Sequence, residues 1–178
     1  MNRPRRLAPR WLAVLGGVSL LAGCGYRLAN HAHTLPPDVK VIGIPAFRNQ
    51  TLSPQLSQLL TTAVIRQFIQ QTPYRVQPRR AGSDAVLTGT VLSLRTTPVT
   101  FDPNTGRVST VEVRLELRVL LTDETTGQAL YRASDLVFRD QYQVSAQAQT
   151  LFEEDTVALR RLSQDAARTI VQNILENF

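Results

Sequence analysis

The stretch whose residue types and spacing specify covalent chemistry is Leu21-Ala22-Gly23-Cys24. A bulky aliphatic residue, two small residues and a cysteine form a lipobox. The small side chains let the backbone enter a signal peptidase, and the Cys24 thiol takes up a diacylglyceryl group. Upstream, Arg3, Arg5, Arg6 and Arg10 make a basic segment and residues 11–21 an apolar one, the layout of a secretory signal. That apolar run is well short of the roughly 20 residues a helix needs to span a bilayer. Cleavage before Cys24 divides the chain into a signal peptide, residues 1–23, a lipidated tether, residues 24–38, and a single domain, residues 39–178.

Other reactive groups are sparse. Cys24 is the only cysteine, so no internal disulfide is available and packing alone must hold the domain. His31 and His33 lie in the tether without a carboxylate or thiol beside them and read as solvated residues rather than metal ligands. Glu153-Glu154-Asp155 is read as the acidic first turn of a helix, where the dipole favours such residues. No histidine follows His33 and no glycine-rich phosphate loop follows a strand. The residues therefore point to a binding or assembly module, with no enzyme activity, no cofactor and no metal expected. Loss of the signal removes four arginines, so the formal charge falls from +6 to +2. The basicity is mostly targeting, and nucleic-acid binding is not expected.

The elements follow from periodicity. Residues 39–47 are rich in β-branched side chains and read as a strand that Pro45 ends or places at an edge. Ser53-Pro54 opens a helix to about residue 70, with the serine oxygen able to cap it and Leu56, Leu59, Leu60, Ala63, Val64, Phe68 and Ile69 on a wide apolar stripe. A brief extended segment at residues 74–76 precedes a long strand over residues 85–96, in which Gly89 marks a close approach by a neighbouring backbone or a helix. The turn Asp102-Pro103-Asn104-Thr105-Gly106 makes a hairpin into the clearest strand of the chain. There Val111, Val113, Leu115, Leu117, Val119 and Leu121 alternate with polar residues. Asp123-Glu124-Thr125-Thr126-Gly127 repeats the turn, residues 129–142 form the next strand, and residues 151–178 a second amphipathic helix. The result is an α+β fold, a two-layer α/β sandwich with a mixed four-stranded sheet. Its order is strand, helix, three strands, helix, with both helices on one face.

Taken together, Leu21-Ala22-Gly23-Cys24-Gly25-Tyr26-Arg27-Leu28, Leu35-Pro36, Ile44-Pro45-Ala46-Phe47-Arg48-Asn49-Gln50-Thr51, Asp84-Ala85-Val86-Leu87-Thr88-Gly89-Thr90-Val91 and Thr126-Gly127 resemble the LptE family of lipopolysaccharide-assembly lipoproteins. The resemblance covers nearly all of residues 21–178. It implies a protein of the Gram-negative outer membrane, anchored by its lipid with the domain on the periplasmic side or within a barrel lumen. Such a protein plugs the β-barrel LptD one-to-one, assists its assembly and contacts lipopolysaccharide. The alternative is a self-associating lipoprotein of the curli-secretion-channel type. The wet sheet face carrying Glu112, Arg114, Glu116 and Arg118 is the candidate partner contact. Topology is expected to gather Arg48, Arg95, Arg107 and Arg139, with Phe101 and Phe138, at the end of the domain away from the tether, as the candidate lipopolysaccharide site.

Cys24→Ala is expected to leave the protein as uncleaved precursor or to release it from membranes, as checked by fractionation and intact mass. With Gly25 rather than aspartate after Cys24, the parent should sort to the outer membrane. Normal maturation and sorting of the variant would remove the lipobox reading.

Overall fold

The structure, a computed structural model, describes residues 35–144 and 148–178, with side chains described outside residues 148–155. The lipobox, His31 and His33 lie outside the described residues, as do the side chains of Glu153, Glu154 and Asp155. In chain order the elements are β1 (Val41–Gly43), β2 (Arg48–Asn49), α1 (Pro54–Gln71), β3 (Arg75–Gln77), β4 (Ala85–Phe101), β5 (Val108–Asp123), β6 (Ala129–Gln143) and α2 (Ala148–Glu176). The sheet runs β3-β1-β4-β5-β6, with β2 pairing β4 beyond β1. Contacts of β4 with β1 and β2 are parallel, and those of β5 with β4 and β6 antiparallel.

The alternation along β5 sets the layers. Val111, Val113, Leu115, Leu117, Val119 and Leu121 are buried, whereas the residues between them are half-buried or exposed. Leu56, Leu60, Val64 and Phe68 of α1 come down on that apolar face at four-residue spacing. Ala166, Ala167, Ile170, Val171 and Ile174 of α2 join the same core. Asp140 on β6 and Arg161 on α2 tie the layers by an ion pair of 3.2 Å. The two-layer α+β sandwich is thus as expected, with both helices on one face of a mixed sheet.

The sheet has six strands rather than four, because β2 pairs where an exit loop was expected and the brief extended segment at residues 74–76 joins the sheet as β3. The run read as one strand over residues 39–47 breaks after Gly43, and the line resumes as β2, whose Arg48 and Asn49 lie beside Thr90 and Val91. Pro45, which lacks a donor, falls in the break. Ile44 and Phe47 nevertheless stay in the core. The Phe47 ring lies directly over Gly89, where any Cβ would collide with it. The close approach at Gly89 is thus made by an aromatic ring, where a backbone or a helix was expected. Ser53 does not cap α1 with its side chain. Its carbonyl instead accepts from Asn49 Nδ2 at 2.6 Å, and Asn49 Oδ1 accepts the Thr51 N–H at 2.9 Å, so Asn49 turns the chain off the sheet. Leu35, within the stretch read as tether, is buried, and its N–H donates to Tyr74 Oη at 2.8 Å. Among the described residues no helix is long and apolar enough to cross a membrane.

Asp84 fastens the start of β1 to β4. One carboxylate oxygen accepts the N–H groups of Lys40 and Val41, both at 2.8 Å, and these bonds hold its pKa below the ordinary aspartate value. A depressed pKa contributes stability that is fully present above the unfolded pKa, near 4, and is lost as pH falls through the lower folded value. Asp84→Ala should therefore lower the melting temperature by a few degrees at pH 7, corresponding to about 1 kcal/mol. The gap between variant and parent should close as pH falls below about 4, and a gap independent of pH would refute this account.

Candidate functional site

On the open sheet face, β-register brings arginines into line. Arg114 on β5 sits directly opposite Arg95 on β4 and Arg139 on β6. Three guanidinium side chains thus share one row, with neighbouring Cα atoms about 5 Å apart. Toward the body of the sheet, Arg48, Thr90 and Arg118 form a parallel row, and beyond it Arg132 lies opposite Leu120. Glu116 pairs with Ser93 and Val137, and Glu112 with Thr97 and Gln141, on either side of the Arg95–Arg114–Arg139 row. Six arginines therefore stand against Glu112, Glu116 and Asp135, the last on β6 and lying against Arg118.

Neutralisation within the face is incomplete. Arg114 Nη2 reaches Glu116 Oε1 at 3.1 Å, and Gln141 Nε2 donates to Glu112 Oε2 at 3.3 Å. Arg114 Nε is buried without a hydrogen-bond partner. Arg48, Arg95, Arg118, Arg132 and Arg139 have no ion pair among the described residues. Like charges directly opposite across strands are unfavourable. The face is consequently built to receive negative charge, and arginine's planar fork accommodates carboxylate or phosphate bidentately.

Two bulges create this arrangement. In β4 the pairing shifts between Val91 and Ser93, leaving Leu92 as an extra residue. In β6 it shifts where Ser134 and Asp135 face the single residue Arg118. Each insertion reverses the face on which later residues lie. Without them Arg95 and Arg139 would both fall opposite Val113, on the side covered by helices. The sequence carried a signal for this. The apolar phase changes from Leu87 and Val91 to Leu92 and Leu94 in one strand, and from Tyr131 to Leu136 and Phe138 in the other.

The expected cluster at one end is not what the structure assembles. Arg95 and Arg139 join Arg114, so the candidate partner face and part of the candidate lipopolysaccharide site are one surface. Arg48 lies on the same face nearer the body. Arg107 is exposed in the β4–β5 loop, far along the hairpin. Phe101 pairs with Val108 at the mouth of that loop and is 59% exposed. Phe138 faces the opposite way, opposite Leu115 and packed against the core, because adjacent residues of a strand point to opposite sides. The loop carrying Arg107 is stiffened by Asp102, whose Oδ1 accepts the N–H groups of Thr105 at 2.9 Å and Asn104 at 2.8 Å. Those bonds, that from Thr105 foremost, hold the Asp102 carboxyl below its ordinary pKa. The β5–β6 loop repeats the construction with Asp123, Thr125 and Thr126, and Gly106 and Gly127 take φ of +63° and +71°. Among the described residues no group of histidine, cysteine or carboxylate side chains is arranged to hold a metal.

A family model described as LptE, lipopolysaccharide-assembly, matches residues 39–174. The chain has no match among curated proteins. Similar solved structures include the rare lipoprotein B from Shewanella oneidensis, 15% identical over 77% of this chain and 95% of that one, with a TM-score of 0.53. Lipoprotein B from Nitrosomonas europaea is 15% identical over 82% and 87%, with a TM-score of 0.52. A lipoprotein from Caulobacter crescentus is 14% identical over 73% and 88%, with a TM-score of 0.51. At these identities the structures establish a shared fold.

Glu116 is the carboxylate bonded to the arginine row. Glu116→Gln should lower the melting temperature by a few degrees at low ionic strength, on the order of 0.5–1 kcal/mol. The loss should shrink at 1 M salt, where the screening length is about 3 Å. An equal loss at both salt concentrations would show that Glu116 acts through packing rather than charge.

Proposed function

The chain belongs to the LptE family of lipopolysaccharide-assembly proteins, and from that premise we propose that it is an outer-membrane lipoprotein, held by a lipid on Cys24, that plugs the LptD β-barrel. In this reading it binds the barrel one-to-one, assists its assembly and takes part in moving lipopolysaccharide to the outer leaflet. The observation that carries the proposal is the family match over residues 39–174, which spans both layers of the domain. The open face supports it. A polar, arginine-rich sheet surface suits a polar barrel lumen, where an apolar one would not. Glu112, Arg114, Glu116 and Arg118 are then the barrel contacts near the middle of that face. Arg95 and Arg139, with Arg48 on the same face, take lipid A or core phosphates in this reading, and Arg107 and Phe101 offer a second contact farther along the hairpin. Phe138, packed against the core, takes no part in that site. The role is one of binding and assembly, and it calls for no cofactor and no enzymatic step.

Co-expression with LptD and purification from outer membrane tests this directly. Native mass should give a one-to-one complex, and the isolated chain should be monomeric. Arg114→Glu with Arg118→Glu should reduce copurified LptD several-fold. Arg95→Glu with Arg139→Glu should weaken lipopolysaccharide binding, which in the parent should fall with added salt. A chain that forms closed rings by itself and ignores LptD would return the reading to the self-associating class.

A further inference from the structure

The sheet contains a lane that begins as a strand and is not continued by any other described strand. β1 and β2 occupy the outer side of β4 at Ala85, Val86, Thr90 and Val91, and the last contact is the Gln50 N–H on Val91 O at 3.0 Å. There Asn49 bends the chain into α1. Beyond Val91, β4 continues for ten residues with β5 on one side and no described strand on the other. A groove of about 750 Å³ runs along this stretch. Its walls include Leu92, Leu94 and Arg95 of β4 and Leu159 of α2, and Leu52, fully exposed, stands at its rim.

Natural sheets protect an open edge with proline, charge, bulges or cover. Here Pro98 and the register shift beside it close the far end. From Leu92 to Thr97 the edge carries a single charge, Arg95. That leaves six residues, close to the usual length of a strand, roughly 5–6 residues. The inner wall is apolar, through Leu94 and Leu159. On the outer face, an added residue would fall beside Arg95, in line with Arg114 and Arg139. A carboxylate at that position would meet the Arg95 guanidinium, which has no ion pair among the described residues and stands at the end of the Arg95–Arg114–Arg139 row.

We infer that the lane along residues 92–97 receives an extended segment of the barrel partner by strand addition, with apolar side chains toward Leu94 and Leu159 and an acidic side chain beside Arg95. The inference rests on the LptD reading above. Main-chain pairing along the lane supplies affinity and the alternating pockets supply selectivity.

Hydrogen exchange on the full chain, alone and in purified complex with LptD, gives the first test, and a photo-crosslinking residue at position 96 the second. Among residues 92–97, the amides that point away from β5 into the lane should exchange readily in the isolated chain and at least tenfold more slowly in the complex. The crosslink should map to an LptD segment containing aspartate or glutamate. Arg95→Glu should reverse most of the added protection. If the one-to-one complex forms but residues 92–97 gain no protection and position 96 does not reach LptD, the inference is overturned while the plug reading stands. A crosslink to this chain's own residues, or to a second copy, also overturns it. Failure of LptD to copurify removes both.

Discussion

The strict two-residue period of β5 is the constraint on which the remainder of the structure depends. Among the described strands β5 alone has long partners on both sides, and its six buried aliphatic residues form the floor on which α1 and α2 lie. A slip of one residue against β4 or β6 would exchange that floor for Glu112, Arg114, Glu116 and Arg118. Each fully buried Val or Leu side chain contributes about 1.5–3 kcal/mol. Desolvating an unpaired guanidinium or carboxylate costs several kcal/mol. Register is therefore fixed by a difference much larger than any cross-strand charge term on the open face, and that face inherits its pattern from the dry one.

A second constraint acts at the other edge, where a broken strand must still deliver its side chains to the core. Pro45 interrupts the ladder, yet Ile44 and Phe47 are both buried, because Phe47 is locked over Gly89 on the neighbouring strand. The Phe47 N–H donates to Thr61 Oγ1 of α1 at 3.0 Å, which anchors the same residue to the helix above. Phe47 thus joins β4 and α1 at the point where the chain leaves the sheet. Ser83 and Gln77 serve the adjacent loop in a similar way. Gln77 Nε2 donates to Ser83 Oγ at 2.7 Å, and Ser83 Oγ to the Arg79 carbonyl at 2.9 Å, beside Gly43, where a Cβ would meet both partners of the latter bond.

The strand, hairpin and helix order was legible because its signals are long and periodic: the alternation over residues 111–121, the two Asp-x-x-Thr-Gly turns, and the four-residue apolar spacing of both helices. β2 and β3 were not foreseen as sheet members because two or three residues carry no period, and their pairing is imposed by β4 and β1. Ser53 looked like a cap, but its hydroxyl makes no capping bond, and Asn49, four residues earlier, sets the turn by donating to its carbonyl. Placement of the arginines was the least legible part. Their number and type are plain in the sequence, yet the face on which Arg95 and Arg139 stand depends on two single-residue insertions in other parts of their strands.

Those insertions show which force holds the charged row together. If Leu92 were not extra, Leu94 would turn outward and Arg95 would lie opposite Val113. If Ser134 and Asp135 did not share one partner, Leu136 and Phe138 would turn outward and Arg139 would take that same inner position. Burial of Leu94, Leu136 and Phe138 against the core favours the bulged register by roughly 1.5–3 kcal/mol for each side chain that is fully covered, and somewhat less for these half-covered ones. Aligning like charges across two strand pairs opposes it by only about 0.2–1 kcal/mol for each pair. Hydrophobic burial wins, and the repulsion among Arg95, Arg114 and Arg139 is the residue of that balance. The open face therefore carries unsatisfied positive charge as a fixed property of the fold, available to whatever anionic group approaches it.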